Sequence, residues 1–293
     1  MGIEYTLAGH QKDLGGGFLV SRLLPSAKKQ AIGPFIFFDH FGPATELPSV
    51  NHDVRPHPHI GLATVTYLFD GAIMHRDSLG SVQEITPGAI NWMTAGRGIV
   101  HSERRPERLA TQTYVNHGLQ LWAALPEAHE EDEPSFVHTP ASAIPMLEVD
   151  GARVRVLVGT AFGETSPVAT FSDTLYLDVQ LQPGAAFTLP PLAEERALFP
   201  VNGDVRVDGA LLAANSMGVL QAGASASISC EQAVRLMVIG GEPMPHRHIW
   251  WNFVSSSKDR IMQASADYEA GRIGHVAGDE EWIPLPERRF LPS

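Results

Sequence analysis

A single cysteine, Cys230, stands in this chain of 293 residues, so no internal disulfide can form and no zinc centre built on several thiolates is available. One cysteine leans toward a reducing compartment. No run of about 18 apolar residues is present, and Met1 to His10 has no basic stretch leading into an apolar core. The expectation is therefore a cytoplasmic protein with no membrane span. Met1-Gly2-Ile3-Glu4-Tyr5-Thr6 fits the loose N-myristoylation pattern, but no polybasic patch follows to give the second signal that stable anchoring needs. Basic residues are the minority, 21 Lys and Arg against 33 Asp and Glu, for a net charge of −12. That balance argues against nucleic acid or an anionic membrane as main partner, because phosphate binding needs a cationic surface. What is present is ordinary globular material, 44% hydrophobic and 18% charged. At ~150 residues per domain the length suggests about two domains.

Helical periodicity is also scarce until the C-terminus. Short β-rich runs recur instead, among them Ala63 to Phe69, Val154 to Val158 and Leu175 to Leu181, broken by Gly, Pro, Asn and Asp. Asp70-Gly71 and Asn202-Gly203 sit where hairpin turns want residues tolerant of positive φ. The pattern predicts an all-β protein of sandwich or small-barrel type. Pro87-Gly88 in the first half and Pro183-Gly184 in the second, each between strands, hint at duplication. Residues 126–145 carry the acidic run Glu130-Glu131-Asp132-Glu133 and read as a solvated connector with one helical turn. Ser255-Ser256-Ser257 offers N-caps for one helix over residues 258–271, with Ile261, Met262 and Tyr268 as its apolar stripe and Gly271 as its stop.

The chain holds 13 histidines. His10, His117, His129, His138 and His275 stand alone and read as surface or hydrogen-bonded core residues. Two clusters differ. In extended chain, residues two apart point the same way, so His57 and His59 share one face, and His101 and Glu103 share another. The 42 residues from 59 to 101 suffice for several short strands to leave one barrel wall and return to the facing one. Three neutral imidazoles and a carboxylate converging on one point would hold a borderline divalent metal and leave coordination positions open. H-x-H also recurs by chance, and spacing alone leaves both accounts standing. A third pair, His246 and His248 beside Trp250-Trp251, has no following clamp and reads as a strand end. His75 and Asp77, just past the Asp70-Gly71 turn, could orient a metal ligand but read first as turn-lining. Gly96 and Gly98 would serve the bend that aims His101 and Glu103, and Phe37, Phe38, Trp92 and Met93 are core candidates.

The order of several motifs is more specific. Gly33-Pro34-Phe35-Ile36-Phe37-Phe38-Asp39-His40-Phe41-Gly42, then Arg55-Pro56-His57-Pro58-His59-Ile60-Gly61, then Trp92-Met93-Thr94-Ala95-Gly96-Arg97-Gly98-Ile99-Val100-His101-Ser102-Glu103, then Gly118-Leu119-Gln120-Leu121-Trp122, resemble the pirin family of bicupins from about residue 15 to residue 125. The second half resembles the family's C-terminal cupin more loosely. The resemblance implies two cupin barrels (double-stranded β-helix or jelly roll) in tandem, a metal-binding one over residues 1–135 and a metal-free one over 136–293 with the short C-terminal helix. It implies one divalent metal on His57, His59, His101 and Glu103, with Fe(II) favoured and Ni, Mn, Co, Cu or Zn as alternatives.

It further implies a metal-dependent dioxygenase of the quercetin 2,3-dioxygenase type, taking a flavonol and O2 and releasing carbon monoxide. Glu103 is then both ligand and catalytic base, as the one ligand able to accept the flavonol proton. The alternative within the same family is a metal- or redox-sensing regulator that binds a protein partner without turnover. Two departures stand out. Ile60 and Ala63 occupy positions that are often basic and acidic in the family, which puts the polar surroundings of the metal and the substrate identity in question. Residues 189–195, Leu-Pro-Pro-Leu-Ala-Glu-Glu, stand where the second barrel would need histidines.

Overall fold

A computed structural model describes residues 2–14 and 17–287. Met1 of the acylation-like pattern and Gly15, where the family resemblance begins, lie outside the described residues. The chain forms two compact units interleaved in sequence. One comprises Asp13–Val20, His40–His138 and the C-terminal part from Pro245; the other comprises the N-terminus to Lys12, Ser21–Asp39 and Thr139–Met244.

The chain opens with β1 (Ile3–Ala8), β2 (His10–Asp13) and β3 (Leu19–Leu24), followed by β4 (Phe35–Glu46), whose residues from His40 onward belong to the unit that carries the histidine clamps. That unit continues through β5 (Val54–His59), β6 (Leu62–Asp70), β7 (Ile73–Asp77), β8 (Val82–Ile85), β9 (Ile90–Thr94), β10 (Ile99–Arg104), β11 (Tyr114–Ala124) and β12 (Ser135–Thr139). Its larger sheet runs β12-β9-β6-β11-β4 and its smaller one β5-β10-β7-β8. Leu62 to Phe69 are all buried, so β6 is covered on both faces, which its Val, Tyr, Leu and Phe content suits. The Asp70-Gly71 turn is not a hairpin. It is the corner at which the chain leaves the larger sheet at the end of β6 and enters the smaller sheet as β7. Gly71 takes φ 86°, and a Cβ there would lie 2.6 Å from Val115 O. A turn dipeptide specifies local backbone angles, and the partner strand it leads to is decided elsewhere.

The other unit repeats the plan. After β13 (Met146–Val149), β14 (Ala152–Val158) and the short hairpin β15 (Thr160–Ala161) and β16 (Glu164–Thr165) come β17 (Thr174–Leu181), β18 (Ala186–Leu189), β19 (Glu195–Pro200), β20 (Val205–Val207), β21 (Ala210–Leu212), β22 (Ser216–Leu220), β23 (Ala226–Ser229) and β24 (Val234–Gly241). The sheets run β1-β22-β19-β24-β17-β14-β13 and β18-β23-β20-β21. Between them Val154, Leu177, Phe187, Leu198, Ile228 and Val238 form one apolar core. Asn202-Gly203 is again a corner between sheets, from β19 to β20, and Asn202 Oδ1 accepts the amide of Arg235 at 2.8 Å.

The C-terminal part adds β25 (His248–Trp250), β26 (Phe253–Ser255) and α1 (Lys258–Glu269) to the clamp-bearing unit. Ser257 caps the helix by accepting the Arg260 amide, and Gly271 follows at φ 69°. Its buried face is Ile261, Ala264 and Tyr268, with Met262 half-buried beside them, and it rests on Ile60, Val100 and Phe253. Glu131 and Glu133 of the acidic run are exposed, as expected of a solvated connector, but Glu130 is only 4% exposed. It accepts from the Ser256 amide at 2.9 Å and from the Ser255 and Ser256 hydroxyls at 3.0 Å each, and it pairs with Arg247 Nε at 2.6 Å. Arg247 lies buried between His246 and His248, so the central residue of that motif is the structural one. Breaking a buried pair leaves an uncompensated charge, at a cost of about 3–5 kcal/mol. Glu130→Ala is accordingly expected to lower the urea midpoint by that equivalent, and a shift under ~0.5 kcal/mol would mean the pair is solvated.

Candidate metal centre

β5 and β10 lie side by side and antiparallel, with His101 opposite His57 and Ile99 opposite His59. Directly opposed residues share a face of the sheet, so the two clamps meet on the barrel's inner side. The register then slips, and Glu103 faces Val54 across a bulge that gives β5 one extra residue. A C-terminal strap fastens this irregular stretch from outside. The Ile283 amide donates to Pro56 O at 2.8 Å, and Arg104 holds Asp279 through two 2.7 Å bonds and Glu281 through one. Gly96, in the turn before β10, has φ 50°, and a Cβ there would sit 2.1 Å from Asp132 O.

The ligand atoms of His57, His59 and His101 lie within 4.8 Å of one another, and all three residues are buried. Their ring centroids are 4.4 to 5.0 Å apart. His57 Nδ1 is 2.8 Å from Arg55 O, and a carbonyl only accepts, so Nδ1 carries the proton and Nε2 keeps its lone pair. His101 Nε2 and His59 Nδ1 are buried polar atoms with no partner among the described residues. Burial pushes the His57 pKa down to about 4 and holds His59 and His101 well below the usual histidine range, the neighbouring imidazoles adding to the effect. Neutral imidazoles with orphaned nitrogens facing one space fit a divalent ion, and the cluster could hold one.

These depressed values fix the pH response of the metal-free protein. Above pH 6.5 the imidazoles are neutral both folded and unfolded, so the folded state pays no penalty. As pH falls from 6.5 toward 4 the unfolded chain takes up protons that the folded cluster refuses, and stability is lost. We expect the Tm of chelator-treated protein to drop across that window, with a shallower slope in His57→Gln. Equal slopes would contradict the burial of these groups.

Glu103 stands two residues beyond His101 on β10 but outside the three-histidine grouping. Thr66 Oγ1 lies 3.5 Å from its Oε1 and 2.9 Å from Gln120 Oε1, and one hydroxyl proton serves the nearer acceptor first. Burial is the main influence on Glu103 and raises its pKa, with His75 and Thr66 opposing it.

His75 and Asp77 are not merely turn-lining. Both are buried, 4% and 1% exposed, on β7, where Asp77 opposes His101 and His75 opposes Glu103. His75 Nε2 is 2.9 Å from Asp77 Oδ2, and His75 Nδ1 is 3.3 Å from His101 Nδ1. Asp77 Oδ1 takes the Leu79 and Ser81 amides at 2.9 and 3.0 Å, so the residue closes the β7–β8 turn as well. Burial alone would raise the Asp77 pKa, but these hydrogen bonds hold it below its ordinary value. Phe136 stacks on the His75 ring at 4.1 Å.

The facing wall is more polar than an apolar core would suggest. β6 presents Thr64 and Thr66, opposed by Met93 and Asn91 on β9 and by Trp122 and Gln120 on β11. Trp122 reaches His59 edge-on at 5.2 Å. Pairing the alternate threonines of Thr64-Val65-Thr66 with the alternate residues of Gln120-Leu121-Trp122 would have marked this wall from sequence. Ile60, the residue after β5, packs in the cluster with the helix, and Ala63 is buried on β6 opposite Thr94. The two departures from the common family pattern are thus apolar packing positions. His246 and His248 lie 5.0 Å apart, with no third ligand beside them among the described residues. His117 pairs with His40 at 2.8 Å and His138 with Asn91 at 2.7 Å. No helix among the described residues is long and apolar enough to cross a membrane.

Comparison with known proteins agrees with this architecture. A pirin-like protein of Caulobacter vibrioides is 46% identical over 97% of this chain and 100% of its own. The crystal structure of a quercetin 2,3-dioxygenase from Acinetobacter baumannii superposes with a TM-score of 0.89 at 35% identity, covering 98% of this chain and 95% of that one. A second quercetin 2,3-dioxygenase from the same organism gives 0.87 at 27% identity, over 94% and 99%. The Pirin family matches residues 17–123 and the Pirin C-terminal cupin domain residues 176–274, and the chain belongs to the pirin family of two-cupin proteins.

Proposed function

We propose that this protein is a metal-dependent dioxygenase that opens a flavonol with O2, with Fe(II) as its ion. The observation that carries the proposal is the buried three-histidine cluster with its orphaned nitrogens, and the likeness to two quercetin 2,3-dioxygenases supports the substrate class. His57, His59 and His101 hold the ion, and Glu103 joins them as the fourth ligand. When bound, the ion supplies Lewis acidity toward the flavonol oxygen and a path for electrons to O2.

The remaining work falls to side chains. Glu103 accepts the proton of the flavonol 3-hydroxyl, because a carboxyl whose pKa is raised by burial is a stronger base than one in water. Thr66, Asn91 and Gln120 offer hydrogen bonds to the hydroxyls of a polyphenol, while Met93 and Trp122 flank its rings. Burial of the histidines keeps bulk water from the reacting oxygen. Titration of quercetin into iron-loaded protein without oxygen is expected to red-shift the flavonol absorption as its hydroxyl is deprotonated. A spectrum unchanged at saturating protein would remove the flavonol from the account.

A further inference from the structure

With His75 neutral, proton bookkeeping gives the hydrogen-bond chain from Asp77 through His75 to His101 one direction. Asp77 Oδ1 is occupied by the amides of Leu79 and Ser81, and Oδ2 faces His75 Nε2. A carboxylate only accepts, so the single proton of a neutral His75 sits on Nε2 and its Nδ1 is an acceptor. His101 Nδ1, 3.3 Å from that acceptor, must then be the donor. A neutral imidazole protonated at Nδ1 has its lone pair on Nε2, which is the buried atom left without a partner.

We propose that Asp77 and His75 are positioning residues that fix the His101 tautomer and ring orientation so that Nε2 faces the ion. The inference rests on the metal-binding reading of the three histidines. Partners that orient a ligating imidazole in this way typically change metal affinity about 10–100-fold when lost. Phe136 stacks on the His75 ring, and both His75 and Asp77 are buried, so packing opposes a rotation of the pair.

Asp77→Asn tests the direction of the chain at nearly constant volume. Its amide oxygen still serves the Leu79 and Ser81 amides, so its NH2 group faces His75 Nε2 and, being only a donor, moves the His75 proton to Nδ1. Two donors then meet between His75 and His101, and the His101 proton is driven to Nε2, where it blocks coordination. His75→Phe removes the acceptor while leaving the Asp77 turn intact. His75→Asn restores an acceptor, since its Oδ1 occupies the place of the imidazole Nδ1.

The probe is Zn(II), titrated into the full-length protein against a chromophoric chelator, with nitrogen NMR of the imidazoles in the zinc-loaded wild type. The expected result is binding weakened about 10–100-fold in Asp77→Asn and His75→Phe, recovery in His75→Asn, and a proton on His101 Nδ1. Should Asp77→Asn fail to fold, the two His75 variants carry the comparison. Wild-type binding matched by His75→Phe, or a His101 that binds zinc through Nδ1, would overturn the inference and leave the metal centre standing. A wild type that does not bind zinc would overturn both.

Discussion

His59→Ala is expected to weaken metal binding by about 10²–10³-fold and to abolish metal-dependent turnover at ordinary loading. Removing one imidazole leaves two facing histidines and an apolar methyl beside Trp122, with no other donor from β5 to take its place. Structural zinc sites with four donors bind their ion with roughly 10–16 kcal/mol, or about 2.5–4 kcal/mol per donor, and each ~1.4 kcal/mol is tenfold in Kd. The fold should survive, because the substitution gives up one hydrogen bond, to the Asn252 backbone, and an Nδ1 that has no partner. Metal content after dialysis, measured alongside the Tm of the metal-free protein, checks both halves. Full retention of metal at an unchanged Tm would place the ion elsewhere.

Glu103→Gln is expected to separate binding from chemistry. The amide keeps an oxygen within reach of the ion, so metal affinity falls less than in the histidine variant. It cannot take up a proton at any working pH, and loss of a positioned general base typically costs 10²–10⁴ in rate. The expected outcome is near-complete metal loading with kcat lowered by about that factor, read by flavonol consumption at saturating substrate. Its surroundings favour this outcome, since Thr66 offers only a 3.5 Å contact and leaves the carboxylate weakly solvated and basic. A variant as active as the wild type would move the base to another residue.

How far the sequence announces this structure depends on the range of the signal. The strands over residues 63–69, 154–158 and 175–181 emerge where these runs put them, because β-branched and aromatic residues suit a pleat, one covered on both faces in the first and third and on one face beside Arg153 and Arg155 in the second. The helix after Ser257 follows from its cap and from the glycine that ends it. The strand period paired His57 with His59 and His101 with Glu103, but the two pairs sit on β5 and β10, hydrogen-bonded neighbours in one sheet and not the facing walls expected of them, and the grouping takes in the three histidines without Glu103.

What stayed hidden depends on register and on the third dimension. Asp70-Gly71 and Asn202-Gly203 are corners between sheets, and local turn chemistry is the same for a corner and a hairpin. Glu130 sits within an acidic run that looks solvated, and only the return of Arg247, more than a hundred residues later, explains its burial. His75 and Asp77 join the site because β7 lies against β10, a pairing that no spacing in the chain discloses.

The most direct test of the central claim is aerobic quercetin consumption by iron-loaded protein, followed by loss of flavonol absorbance with carbon monoxide assayed in the headspace, beside His59→Ala at matched concentration. The account predicts metal-dependent turnover with one carbon monoxide released per flavonol consumed and no turnover in the variant. Fully loaded protein that leaves quercetin and oxygen untouched would contradict it.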